Sequence, residues 1–176
     1  MRFNRAIAIG LLVPAAAVGI AACGSDDKGS GGGGTTAGTN LTIYSSLPLQ
    51  GTSRGQSTAV INGEKLALDD VNNKVGDFTL KYVSLDDSTA QNPGTADEGK
   101  TAQNARQAVR DKSTIFYLGE FNSGGTKVSL PILNKANIPQ ISPSNTDLGL
   151  TTNEPGPEPG GPPRDAPTGN PTHGRA

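Results

Sequence analysis

Between residues 41 and 152 the spacing of apolar positions changes several times, and each change marks an element. LTIYSS (41–46) is a short apolar run with β-branched and aromatic content, which predicts a strand, and the Pro/Gly loop LPLQGTSRG follows it. From 56 to 75, Val60, Ile61, Ala67, Leu68, Val71 and Val75 recur at helical spacing. FTLKYVSL (78–85) reads as a second strand, ended by Asp86 and Asp87. Thr95 and Glu98 have the spacing of a capping box, and the helix they open puts Ala102, Ala105 and Val109 on one face. TIFYLG (114–119) is a third strand. A shorter helix follows at 127–136 with Pro131 inside it, which should kink or shorten it, and IPQIS (138–142) is a fourth strand.

The order is therefore β-α-β-α-β-α-β. The fold class it implies is α/β, flavodoxin-like, with a parallel sheet, right-handed crossovers and helices on both faces. Ligands in such sheets bind beyond the carboxyl ends of the strands. Those ends supply the loops 46–55, 86–96, 119–126 and 142–149, where chemistry is to be sought.

The ends of the chain are different material, so the folded part, 41–153, is smaller than the length suggests. Arg2 and Arg5 precede an uncharged Ala/Ile/Leu/Val run over 6–22, and Ala21 and Ala22 stand just before Cys23. A charged start, an apolar stretch and a small-residue cleavage site form an export signal over residues 1–22. The run is short for a membrane span and Pro14 breaks it. Cys23 is the only cysteine, so a disulfide framework within the chain is excluded. The sequence IAAC resembles the bacterial lipoprotein box, with isoleucine where leucine is more usual, and this makes Cys23 the expected lipid attachment point. Residues 23–40 continue as a Gly/Ser/Thr-rich tether, whose flexible part would span roughly 20–25 Å as a random coil. Residues 154–176 hold more than half of the prolines and no Val, Ile, Leu, Met, Phe or Tyr. Such a segment supplies no core, and disorder is expected there.

Composition narrows the chemistry. A formal net charge of −1 gives no basic patch for nucleic acid. The one histidine, His173, lies in the tail, so histidine-dependent catalysis in the folded part is not expected, and neither is a metal centre or any cofactor. GEFNSGGT (119–126) approaches the phosphate loop G-x-x-x-x-G-K-[ST], but Gly125 stands where the lysine belongs. What remains is a strand-to-helix turn whose N–H groups and helix dipole favour an anion, with Ser123 and Thr126 adding hydroxyls. A carboxylate would suit it as well as a phosphate, and a plain turn remains the alternative. ISPSNTDLGLT (141–151) leaves the next strand with Ser142, Ser144, Asn145 and Thr146, again a turn by composition, but facing the same crevice. Asp69 and Asp70 read as a solvated helix face. Asp86 and Asp87 read as strand-end caps, with no reason in the sequence for shifted pKa values.

NGEKLALDDVN, KYVSLDDSTAQNPGTA, FYLGEFNSGGT and ILNKANIPQISPSNTDLGLT together resemble the solute-binding lipoproteins of ABC transporters for branched-chain amino acids. That family has the leucine/isoleucine/valine-binding, type I periplasmic binding protein fold. The likeness runs from about 41 to 152 and is most specific in the last two stretches. It implies a non-enzymatic protein that binds an amino acid, works with transporter permease subunits and is lipid-anchored on the outer face of the bacterial cytoplasmic membrane. By position, Ser123 would bind the ligand carboxylate through its hydroxyl and N–H, and Thr146 would bind it too. Ser144 would offer its backbone carbonyl to the ammonium, and Asn145 would line the site. Asn122 stands where leucine-binding members often carry a disulfide cysteine. The family closes two lobes around its ligand, whereas the likeness here covers only the first, incompletely. The Pro/Gly-rich tail is accordingly expected to be a frameshifted or diverted reading, and ligand binding to be weak. The competing readings are a small flavodoxin-like nucleotide-binding or hydrolytic domain, and a truncated chain whose only working parts are signal and anchor.

Overall fold

The computed structural model describes residues 39–152 and 166–176. The expected signal, Cys23 and most of the tether lie outside the described residues.

Six strands form one sheet in the order β2-β3-β1-β4-β5-β6. β1 (Asn40–Leu47) pairs in parallel with β3 (Phe78–Asp86) on one side and β4 (Thr114–Gly119) on the other. β5 (Gln140–Ser142) and β6 (His173–Arg175) extend the parallel part, and β2 (Lys74–Val75) is antiparallel to β3. The helices are α1 (Arg54–Asp70), α2 (Glu98–Arg110) and α3 (Ser123–Lys135). The expected α/β sheet with parallel strands and intervening helices is thus present, as a partial lobe. Chain order reverses at β1, so the switch point of the sheet lies between β1 and β4.

α2 and α3 share one face of the sheet. Ala105 and Ala108 of α2 and Leu133 of α3 bury against Tyr44 and Tyr117, with Ile138 completing the cluster. Small alanines let α2 lie close over the strands. α1 stands on the other face, where Ile61 and Leu68 are its buried apolar residues.

Several expected boundaries move, each for a local reason. The helix expected over 56–75 stops at Asp70, because Asn72 and Asn73 take left-handed conformations (φ 53 for both) and Asn73 N–H returns to the Leu68 carbonyl at 2.8 Å. Val75 then pairs with Phe78 in a hairpin that turns at Gly76, φ 57. The capping box at Thr95 and Glu98 does not form. Asp97 is the N-cap of α2 and its carboxylate accepts from Lys100 N–H at 3.0 Å. α3 begins at Ser123, earlier than its apolar pattern suggests, and runs through Pro131 to Lys135.

The tail corrects the sequence reading most. Within 166–176, a stretch expected to be disordered, β6 pairs with β5 in register Gln140↔His173, Ile141↔Gly174 and Ser142↔Arg175. Backbone groups make this pairing, so apolar side chains are not needed. Asn134 of α3 secures it: its Nδ2 donates to the Asn170 carbonyl (2.7 Å) and Thr172 Oγ1 (3.0 Å), and its Oδ1 accepts from Thr168 N–H (3.0 Å).

Candidate functional site

The four loops at the carboxyl ends of the strands meet, and hydrogen bonds join each to its neighbour. Leu49 N–H and Gln50 Nε2 donate to the two oxygens of Asp86, at 2.9 and 2.8 Å. Ser53 Oγ donates to the Gly94 carbonyl. Asn122 Oδ1 accepts from Ala96 N–H at 3.2 Å, so a hydrogen bond ties this loop to 86–96.

The residues singled out from sequence come together across the last two loops. Ser123 Oγ accepts from the N–H groups of Thr146 and Asp147, both at 3.3 Å. Ser144 Oγ donates to the Phe121 carbonyl at 3.0 Å. Asn145 is buried, and its Nδ2 donates to the carbonyls of Glu120 (3.1 Å) and Phe121 (3.2 Å). It therefore braces the crevice from beneath. Thr146 is exposed at the rim. Beyond it, Lys127 and Asp147 form an ion pair at 2.7 Å. The Lys127 ammonium, with the Gly149 N–H bond, holds the Asp147 carboxyl below its usual range.

The first turn of α3 opens onto this point. Its leading N–H groups have no intrahelical partners, and with the dipole they form a place for negative charge. Gly125 explains why this is not a phosphate loop. A Cβ there would stand 2.8 Å from Ala96 Cβ and 3.1 Å from Glu120 Cβ, so no lysine fits where a phosphate loop needs one. Gly119 is equally constrained. Its φ is 139, and a Cβ would collide with the Ser46 carbonyl of β1.

Beneath the crevice lies a feature the sequence reading did not find. Asp87, at the end of β3, and Glu120, at the end of β4, are both wholly buried at 0 % exposure. They flank the end of β1, and each acid acts on the other's carboxyl as a side-chain partner. Tyr117 Oη donates to Glu120 Oε1 at 2.8 Å. Burial is the main cause that raises both carboxyl pKa values, Glu120 well above the usual carboxylate range. Asp86, by contrast, caps the loop as expected. Partial burial raises its carboxyl, but the bonds from Ser88, Leu49 and Gln50 outweigh that and leave it below its usual value. The expectation that neither acid of this pair carries a shifted pKa is thus corrected. Asp87 turns inward onto an acid 33 positions along the chain, which no local pattern reveals.

No protein-family model matches the sequence, and no curated protein does. Solved structures do match the fold. The solute-binding protein of an ABC transporter from Rhodopseudomonas palustris, in complex with 3,4-dihydroxy benzoic acid, aligns with TM-score 0.58 at 13% identity, covering 78% of this chain and 32% of that one. The fold is that of a type I periplasmic binding protein lobe. The branched-chain amino acid transporter substrate-binding protein LivJ from Streptococcus pneumoniae, in complex with isoleucine, aligns at 0.55 with 24% identity over 64% of this chain and 31% of that one. A putative branched-chain amino acid ABC transporter protein from Rhodospirillum rubrum aligns at 0.56 with 22% identity, over 77% and 33%. The chain spans about a third of the length of these neighbours. The first two are described as solute- or substrate-binding proteins of ABC transporters. Among the described residues no helix is long and apolar enough to cross a membrane, and no group of three or more potential metal ligands occurs.

Proposed function

We propose that this chain is a ligand-binding lobe of an extracytoplasmic solute-binding lipoprotein serving an ABC importer, tethered through lipid on Cys23. Its ligand is a small carboxylate, of branched-chain amino acid type. The observation that carries the reading is the joined loop pair at the carboxyl ends of β4 and β5, where Ser123 at the start of α3 bonds the backbone of Thr146 and Asp147. In this reading the ligand carboxylate meets the first-turn N–H groups of α3 and the hydroxyls of Ser123 and Thr146. The Ser144 carbonyl takes the ammonium, and Asn145 keeps the two loops in register. Neighbours of the same fold are described with isoleucine, leucine, 4-hydroxybenzoate and 3,4-dihydroxy benzoic acid, all of which carry a carboxylate.

Small-molecule sites usually bury 70–90% of the ligand surface, and the loops described form a single wall. Affinity for free amino acids is therefore expected to be weak, on the order of millimolar. The test is an NMR titration of the chain with leucine, isoleucine and 4-hydroxybenzoate. Shifts should concentrate at the amides of 123–126 and 144–147, and Ser123→Ala should reduce them. No response of those amides to tens of millimolar ligand would refute the reading, and calorimetric micromolar binding of leucine would refute its weakness. For the anchor, radiolabelled palmitate should enter the wild-type chain in bacteria and not the Cys23→Ser variant.

A further inference from the structure

We propose that Asp87 and Glu120 share one proton, and that this proton holds the crevice loops together, making both acids positioning residues. Each is wholly buried, and neither oxygen of Asp87, nor Oε2 of Glu120, has another hydrogen-bond donor among the described residues. Two carboxylates in contact without a donor repel each other, and a proton between them turns the contact into a short hydrogen bond. The alternative is a cation in the same place. A hard cation such as calcium takes 6–8 oxygen ligands, which two carboxyl groups do not supply.

The surroundings agree. Around the pair, Asp86 adds negative charge beside Asp87, while the Ser46 hydroxyl on β1 and then the Tyr117 hydroxyl on β4 act on Glu120 in the opposite sense. β1 presents the Ser46 hydroxyl and α2 the Asn104 amide, which itself bonds Ser46 at 3.1 Å, while α3 approaches Glu120 with Gly125. None of these is a cation. Nothing but a proton offsets the second negative charge.

The backbones of the two acids carry the consequence outward. The Glu120 carbonyl accepts from Ser142 Oγ at 2.7 Å and from Asn145 Nδ2 at 3.1 Å, so it fixes the loop that leaves β5. The Asp87 carbonyl accepts from Asp97 N–H at 2.7 Å, at the cap of α2. Loss of the proton pushes the acids apart and loosens both attachments. The shared proton rests on the burial of the two acids, their unpartnered oxygens and their action on each other; its effect on ligand rests on the reading of the crevice as a binding site.

The sign follows from linkage. A carboxyl group that holds its proton more tightly when folded than when unfolded makes folding take up a proton. Stability then falls as pH rises above about 4, the unfolded carboxyl value, and keeps falling until the folded pair has lost its proton. For one proton the folding equilibrium constant drops by up to about tenfold per pH unit in that window.

The experiment follows ligand-free thermal melting of the full chain by circular dichroism from pH 5 to pH 9, comparing wild type with Glu120→Gln. The glutamine keeps an acceptor for Tyr117 and offers Asp87 an N–H in place of the proton. Wild type should lose melting temperature as pH rises. Glu120→Gln should flatten that slope, other titrating groups cancelling in the comparison. Parallel profiles, or a flat wild type, would overturn the proposal. So would calcium or magnesium restoring the wild-type melting temperature at high pH. Should Glu120→Gln fail to fold, Asp87→Asn supplies the same N–H from the other side. Independently, the wild type at neutral pH should show the infrared carbonyl band of a protonated acid that disappears on unfolding, and its absence would equally overturn the proposal. Because melting needs no ligand, failure of the binding reading leaves this result unchanged.

Discussion

The two faces of the sheet are built on different terms. On one, α2 and α3 lie side by side and close a core around Tyr44, Tyr117 and Leu133. On the other, α1 is alone and its link to the sheet includes a polar bond, from Tyr82 Oη to Glu64 Oε2. Strand residues alternate between faces, so Ile43, Phe116, Leu118 and Ile141 point to the α1 side. All four are only partly buried. Leu66 of α1 is 61% exposed. Cohesion therefore comes mainly from the α2–α3 face, which is also the face under the candidate site. The loops of the crevice thus rest on the better-packed half of the molecule.

Three substitutions test that contrast. Leu133→Ala removes a wholly buried side chain from the packed face, and should cost roughly 2–5 kcal/mol in urea unfolding. Tyr82→Phe deletes the hydroxyl on the other face and leaves Glu64 without that donor, for about 1 kcal/mol in the same measurement. Leu66→Ala should stay within about 0.5 kcal/mol of wild type, since its side chain stands largely in solvent. A loss at Leu66 approaching that at Leu133 would mean that the α1 face is covered in solution, and would erase the contrast.

What could be read from the chain divides along the same physical line. β4 lies where the pattern TIFYLG puts it, because a run of apolar and aromatic residues ending in glycine is a local signal. The α/β alternation and the carboxyl-end loops follow from similar signals. Ser123, Ser144, Asn145 and Thr146 were legible as short polar residues at strand ends, and the structure brings them together. Their division of labour was not legible, since only tertiary contacts turn Asn145 inward. The early end of α1 depends on two asparagines adopting left-handed backbone, which helical spacing does not register. The Asp87–Glu120 contact depends on the order of strands, since both acids gain their meaning only once β3 and β4 lie on either side of β1.

β6 has one more consequence. A strand edge is an open row of donors and acceptors on which another chain can add itself. The sheet here ends on β2, two residues long, at one side and on β6, three residues long, at the other. β6 is too short a template to recruit a foreign strand easily, whereas β2 pairs only with Phe78 and Thr79 and leaves the outer row of β3 open over 81–86. A segment whose buried apolar side chain is a single alanine, Ala166, thereby guards this side of the sheet, by occupying the row that β5 would otherwise display.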